Sequence, residues 1–245
     1  MDVSIIIVSF NVKEYLEKCL ASVYRETRGL SFEIFVVDNA SSDDSVGMVR
    51  ELFPEVMLIL NRGNYGFAAA NNSALKECTG NFVLFLNPDT EIKENAIEKL
   101  LKYMKANPSV AVAAPKLLNE DGSLQLLSKK FPSLYSDYME ALFLDAAFPK
   151  SKIFNPLFMG LWPHDSTRDV DQPAGACLLV SMYMLIKAGF YDENFFMYYE
   201  DVDLCLRIKK AGGRIVFLHD AAVVHHGGKS SEQQPAESEI GRAHV

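Results

Sequence analysis

Up to residue 113 the chain alternates short β-branched apolar runs with amphipathic stretches. Residues 4–8, 34–37, 56–60, 82–86 and 110–113 read as strands, and 12–24, 45–52, 67–78 and 96–104 as the helices between them. Strands that are apolar at nearly every position, rather than at every second one, are those buried on both faces. The pattern therefore predicts an α/β fold with a mostly parallel central sheet and helices on both faces. Turn chemistry falls at the expected boundaries. Ser and Asp residues in 39–44 can cap the helix that follows, and Gly63 and Gly66 interrupt the chain before another.

Beyond Pro115 the alternation stops. Asp121-Gly122 between 116–118 and 124–126 predicts a hairpin, and 132–170, with Pro132, Pro149, Pro156 and Pro163, has no firm period. A strand-like run resumes over 175–186 and leads to a helix opening at Glu200. The tail over 232–245 is polar, and its last seven residues, 239–245, read as a non-native appendage on a truncated chain.

Chemistry gathers at the strand ends, where open α/β sheets bind their ligands. Strand one ends in Ser9-Phe10-Asn11 and strand two in Asp38-Asn39-Ala40-Ser41-Ser42. Strand three ends in Asn61-Arg62-Gly63-Asn64-Tyr65-Gly66, and strand four in Asn87-Pro88-Asp89. Any one of these is explained by capping or turn formation, but four in succession deliver polar groups to a single edge. No G-x-G-x-x-G follows strand one and no G-x-x-x-x-G-K-S/T occurs, so a bound diphosphate would require a divalent cation, Mg²⁺ or Mn²⁺. Asp89 is a hard oxygen ligand suited to that role. Further on, Glu200, Asp201 and Asp203 stand directly behind the aromatic run Phe195-Phe196-Met197-Tyr198-Tyr199. Apolar walls and mutual repulsion can make such carboxylates general bases, although an ordinary helix start with an Asp203 to Arg207 ion pair explains the same residues.

Composition narrows the partners. With 245 residues, 49% of them hydrophobic, the chain can bury one large core. A net charge of -8 opposes a duplex-binding surface, so nucleic acid is not an expected partner. Cys19, Cys78, Cys177 and Cys205 are scattered without a C-x-x-C, which fits a reduced cytoplasmic compartment. No apolar run reaches the roughly 20 residues of a membrane span. Phe143-Leu144 and the apolar segment 153–162 leave open either core packing or peripheral contact at the inner face of the membrane.

Taken together, six motifs resemble family-2 glycosyltransferases of the GT-A fold, in particular their rhamnosyltransferase-like branch. They are residues 4–11, 36–43, 61–68, 85–89, 195–207 and 224–228. The resemblance implies one domain over 1–231, with a nucleotide-binding half over 1–114 and an acceptor and catalytic half over 115–231. It implies a nucleotide-diphospho-sugar donor, first of all dTDP-rhamnose, and inverting transfer to a glycan or lipid-linked glycan. By the same resemblance Asp38 would bind the base with Ser9 and Asn11, and Asn64 and Arg62 would lie near the ribose and diphosphate. Asp89 would hold the cation, Asn87 standing where the family's first aspartate does, and His225 would complete the metal site, with the adjacent His226 as its rival. Asp201 would be the catalytic base, with Glu200 and Asp203 orienting the acceptor or the helix, and Gly175 would leave room for the sugar. Two other readings are a catalytically idle nucleotide-sugar-binding module and a sugar nucleotidyltransferase.

Overall fold

Strand β1 (Val3–Ser9) turns its side chains alternately to two cores, and that alternation organises the molecule. Ile5 and Ile7 pack with Leu16, Leu20 and Val23 of α1 (Lys13–Glu26), Met48 and Val49 of α2 (Ser45–Leu52), and Ile97, Leu100 and Met104 of α4 (Ala96–Ala106). Ile6 and Val8 face the other way. They meet Ala68, Ala70 and Ala74 of α3 (Gly66–Leu75), Leu185 of α7 (Met182–Ala188), and Leu204 and Ile208 of α8 (Glu200–Lys210). Two-sided burial is the reason the strands lack a polar face. The computed structural model describes residues 1–125, 127–158 and 162–227.

The sheet runs in the order β3-β2-β1-β4-β8-β6-β9-β5, with β7 beside β9. Its parallel part is β3 (Met57–Leu60), β2 (Phe32–Asp38), β1 and β4 (Phe82–Leu86), joined by right-sized helical crossovers, and β6 (Val110–Leu118) is parallel to β9 (Arg214–His225). β8 (Cys177–Ser181) runs antiparallel between β4 and β6, while β5 (Thr90–Lys93) and β7 (Arg168–Asp169) pair antiparallel with β9. The expected parallel sheet is thus the amino-terminal half, and the second half mixes directions.

The remaining predicted elements need adjustment. The Asp-Gly turn forms, with Gly122 at φ 81° and a Leu118 to Leu124 bridge, whereas Leu126 lies outside the described residues. The aperiodic stretch contains α5 (Leu134–Ala141) and α6 (Leu144–Ala147), and of the segment 153–162 residues 159–161 lie outside the described residues. The run 175–186 is strand only to Ser181 and then helix. The tail, with Gly228, also lies outside the described residues. Among the described residues no helix is long and apolar enough to cross a membrane.

Candidate active site

The register of the parallel strands explains why four polar loops share one edge. Ser9 is level with Asp38, and Asp38 with Leu60, so the chain turns polar at the same height in three adjacent strands. Asparagines stitch the loops together: the Asn61 amide donates to Asn39 Oδ1 at 2.7 Å, and the Asn39 amide donates to Asn64 Oδ1 at 3.1 Å and to the Gly66 carbonyl at 3.2 Å. Asn11, in the left-handed region at φ 52°, accepts the Ser42 amide at 2.7 Å. Two atoms on this edge are buried without a hydrogen-bond partner, Ser9 Oγ and Asp38 Oδ1. Orphaned polar atoms of this kind are costly in a finished fold and common where a ligand completes the set. Gly66 closes the edge from below, because at φ 83° a Cβ there would lie 2.3 Å from the Phe196 carbonyl, which accepts the Phe67 amide at 2.8 Å.

Beside this edge opens a cavity of about 820 Å³, whose walls include Asn39, Asn64, Asn87, Asp89, Lys129, Gly175, Glu200, Asp201 and His225. Antiparallel pairing of β8 with β4 brings Gly175 there, since the Asn87 amide donates to the Ala176 carbonyl at 2.9 Å. Glu200 and Asp201 arrive on the first turn of α8, after two consecutive non-glycine residues in the left-handed region, Tyr198 (φ 68°) and Tyr199 (φ 66°). Such conformations cost of order 1–3 kcal/mol each and concentrate at functional sites.

The two carboxylates differ in environment. Glu200 is 7% exposed and its Oε2 has no hydrogen-bond partner; burial, with the Asp201 charge second, pushes its pKa up to about 8. Burial also raises Asp201, but amide hydrogen bonds from Val202, at 2.8 Å, and Gly175 favour its ionised form, as does the Lys129 charge. Burial thus pushes both carboxyls up, and backbone amides together with the Lys129 charge favour the ionised form of Asp201. Lys129 is itself lowered by burial and raised by Asp201 and Glu140, and its Nζ sits 4.7 Å over the Phe158 ring. For an acid whose folded pKa is raised, the stabilisation is present below the unfolded value, 4.5, and disappears as pH rises through about 8. Stability should consequently fall by a few kcal/mol across that window. Glu200→Gln is expected to flatten the slope in denaturant melts taken from pH 5 to 9; an unchanged slope would show that Glu200 is ionised throughout.

On the same cavity wall, antiparallel pairing of β5 with β9 places Thr90 beside His225, and the His226 amide donates to the Asp89 carbonyl at 2.9 Å. Asp89, 3% exposed, thereby faces His225, with Oδ1 3.6 Å from Nε2, too far for a hydrogen bond. His225 Nε2 is buried without a hydrogen-bond partner, its Nδ1 lies 3.0 Å from Gln125 Oε1, and burial lowers its pKa. His226 points elsewhere, held by Glu120 and by Glu91 at 3.1 Å. Among the described residues no group of three or more His, Cys, Asp or Glu side chains is placed to hold a metal ion. An Asp and a His still fit Mg²⁺ or Mn²⁺, which usually take one or two protein ligands and draw the rest from substrate phosphates and water.

The sequence model of "Glycosyl transferase family 2" matches residues 4–158. The chain belongs to this family. It is 29% identical over 243 residues to an N-acetylglucosaminyl-diphospho-decaprenol L-rhamnosyltransferase of Mycobacterium tuberculosis, covering 95% of this chain and 78% of the relative. It is 29% identical over 244 residues to rhamnosyltransferase WbbL of Escherichia coli, covering 93% and 86%. A mannosyltransferase from Pyrobaculum calidifontis, solved with GDP-Man and Mn²⁺, superposes with a TM-score of 0.62 at 20% identity, over 93% of this chain and 57% of the solved one, a likeness that shows the GT-A fold alone.

In this family 2 glycosyltransferase the expected site residues divide into three groups. Asn64, Asn87, Asp89, Gly175, Glu200, Asp201 and His225 line the cavity together. Ser9, Asn11 and Asp38 lie at the adjoining strand ends rather than on its wall, and Arg62 is exposed off that wall. Asp203 is turned away, paired with Arg207 at 2.7 Å, so its place in the structure is that of a helix ion pair. Gly175 lets Asp201 approach closely, because a Cβ at 175 would come 2.8 Å from Asp201 Oδ2. Sequence reasoning missed Lys129, which lies between the predicted hairpin and the stretch 132–170, and gave Asn39 no role despite its place at the end of strand two.

Proposed function

We propose that this glycosyltransferase moves rhamnose from dTDP-rhamnose, with inversion at the anomeric carbon, to a lipid-linked glycan in cell-surface polysaccharide synthesis. The observation that carries the reading is one cavity lined both by the carboxyl pair Glu200 and Asp201 and by Asp89 with His225. Similarity to two rhamnosyltransferases, one of them named for a diphospho-decaprenol acceptor, supports the choice of sugar and acceptor.

On this reading Asp38, Ser9 and Asn11 receive the base, and Asn64 and Asn39 border the ribose and diphosphate. Asp89 and His225 hold the divalent cation, which when bound supplies positive charge against the departing diphosphate. Asp201, the carboxylate favoured in its ionised form, takes the proton of the acceptor hydroxyl as the new oxygen–carbon bond forms and the carbon–diphosphate bond breaks. Glu200 stays protonated and keeps a second negative charge away from the attacking oxygen. Lys129 faces Asp201 and offsets its charge while the cavity walls exclude water.

A lipid-linked acceptor places the enzyme at the cytoplasmic face of a membrane, and α5 suits that location. Leu134, Tyr138 and Leu142 follow one another at helical spacing and are 90%, 60% and 49% exposed, while Asp137 and Glu140 line the cavity. Phe143, 76% exposed, adds to the apolar surface, and Lys150 and Lys152 further along the chain are exposed as well.

The test is incubation with dTDP-rhamnose and polyprenyl-diphospho-N-acetylglucosamine in anionic vesicles. Release of dTDP and an inverted rhamnosyl linkage are expected, with vesicle co-sedimentation lost on changing Leu134 and Tyr138 to Ser. Binding of the donor without turnover in any acceptor would favour the idle module, and pyrophosphate release from rhamnose 1-phosphate and dTTP the nucleotidyltransferase.

A further inference from the structure

We propose that the Asn119–Gln125 turn is a hydrogen-bond relay that fixes the tautomer of His225, with Gln125 as its positioning residue. The direction of every bond follows from an acceptor-only group at the far end. Asp121 accepts the Ser123 backbone amide at 2.9 Å and the Ser123 hydroxyl at 2.6 Å. A carboxylate has no proton to return, so Ser123 Oγ must accept from its other neighbour, the Asn119 side-chain amide nitrogen at 2.8 Å. Asn119 Oδ1 is thereby turned toward Gln125 and accepts its Nε2 at 2.8 Å. A second, independent bond fixes the same orientation, because Gln125 Nε2 also donates to the His225 backbone carbonyl at 2.8 Å. The Gln125 amide cannot flip without setting its oxygen against two carbonyl oxygens.

Gln125 Oε1 must then face His225 Nδ1, 3.0 Å away, and an oxygen there requires that Nδ1 carry the hydrogen. In the neutral imidazole the lone pair is left on Nε2, the atom buried without a hydrogen-bond partner and 3.6 Å from Asp89 Oδ1. A lone pair and a carboxylate oxygen facing each other across that gap form an arrangement that a cation relieves. Hydrogen bonds of this type behind a ligating histidine orient the ring and typically contribute 10–100-fold to metal affinity. The relay also joins two distant parts of the chain, since His225 ends β9 while residues 119–125 follow β6. This inference rests on the proposed cation site.

Two measurements test it. In metal-free protein labelled with ¹⁵N-histidine and assigned with His225→Gln, His225 at neutral pH is expected to show a protonated Nδ1 and an unprotonated Nε2; the opposite tautomer overturns the relay. In calorimetric titrations of Mn²⁺ with dTDP, Gln125→Met, which removes the acceptor, should weaken metal-dependent binding about 10–100-fold while leaving binding of dTDP without Mn²⁺ within about threefold of wild type. Equal weakening of dTDP binding with and without Mn²⁺ would mean that the loss is structural, and no weakening in Gln125→Met would also reject the relay. A wild type that binds dTDP without regard to Mn²⁺ removes the cation site instead, and the tautomer, read without metal, still decides the relay.

Discussion

Asp201→Asn should lower turnover of donor and acceptor by roughly 10³-fold while leaving dTDP affinity unchanged, because it removes the proton acceptor and nothing that touches the nucleotide. The substitution is close in shape, and its side-chain oxygen can keep the 2.8 Å bond from the Val202 amide, so the first turn of α8 should persist. Loss of the negative charge at 201 has a second consequence. One of the two causes that hold Glu200 near 8 disappears, so Glu200 ionises at lower pH in the variant. If the residual activity of Asp201→Asn rises with pH below that of the wild type, Glu200 is replacing the missing base at close range. Glu200→Gln by contrast should cost far less, since burial raises the pKa of Glu200 and favours its protonated form. A reversed ranking of the two variants, with donor affinity intact in both, would transfer the base role to Glu200.

That division of labour was not legible in the sequence, where Glu200 and Asp201 are equivalent neighbours. What separates them is long-range: the close approach of Gly175, brought by β8, and the charge of Lys129, whose backbone bridges to Phe158 and Gln172. The parallel half of the sheet was legible because its strands are apolar throughout and end abruptly in polar loops; helix 45–52 even coincides with α2 (Ser45–Leu52). β5 escaped, being four residues long, although its alternation of buried Thr90 and Ile92 with Glu91 and Lys93 is a strand's. Missing β5 left the choice between His225 and His226 open. Adjacent strand residues point to opposite faces, and only pairing with Thr90 reveals which face holds Asp89. For Asp203 the sequence left the acceptor and the helix open, and the structure forms the helix ion pair with Arg207 one turn on.

The Asp89 side chain yields the second large effect. Asp89→Ala is expected to abolish Mn²⁺-dependent binding of dTDP, a loss of at least about 100-fold, given that disturbing an outer partner alone costs 10–100-fold. The backbone should hold, because the contact that ties residue 89 to β9 is made by its carbonyl, which accepts the His226 amide at 2.9 Å. Thr90 likewise keeps its bond to the Asn87 carbonyl at 2.7 Å, so β5 stays seated beside α1. The variant should therefore melt close to the wild-type temperature, and dTDP should retain the weak affinity supplied by the strand ends around Asp38 and Asn64. Metal-independent binding equal in the two proteins, with the Mn²⁺ increment missing from one, locates the cation at Asp89 and the base elsewhere. Persistence of the Mn²⁺ increment in folded Asp89→Ala would instead move the cation to a site built from the substrate and other side chains, and Asp89 would then serve only to orient His225.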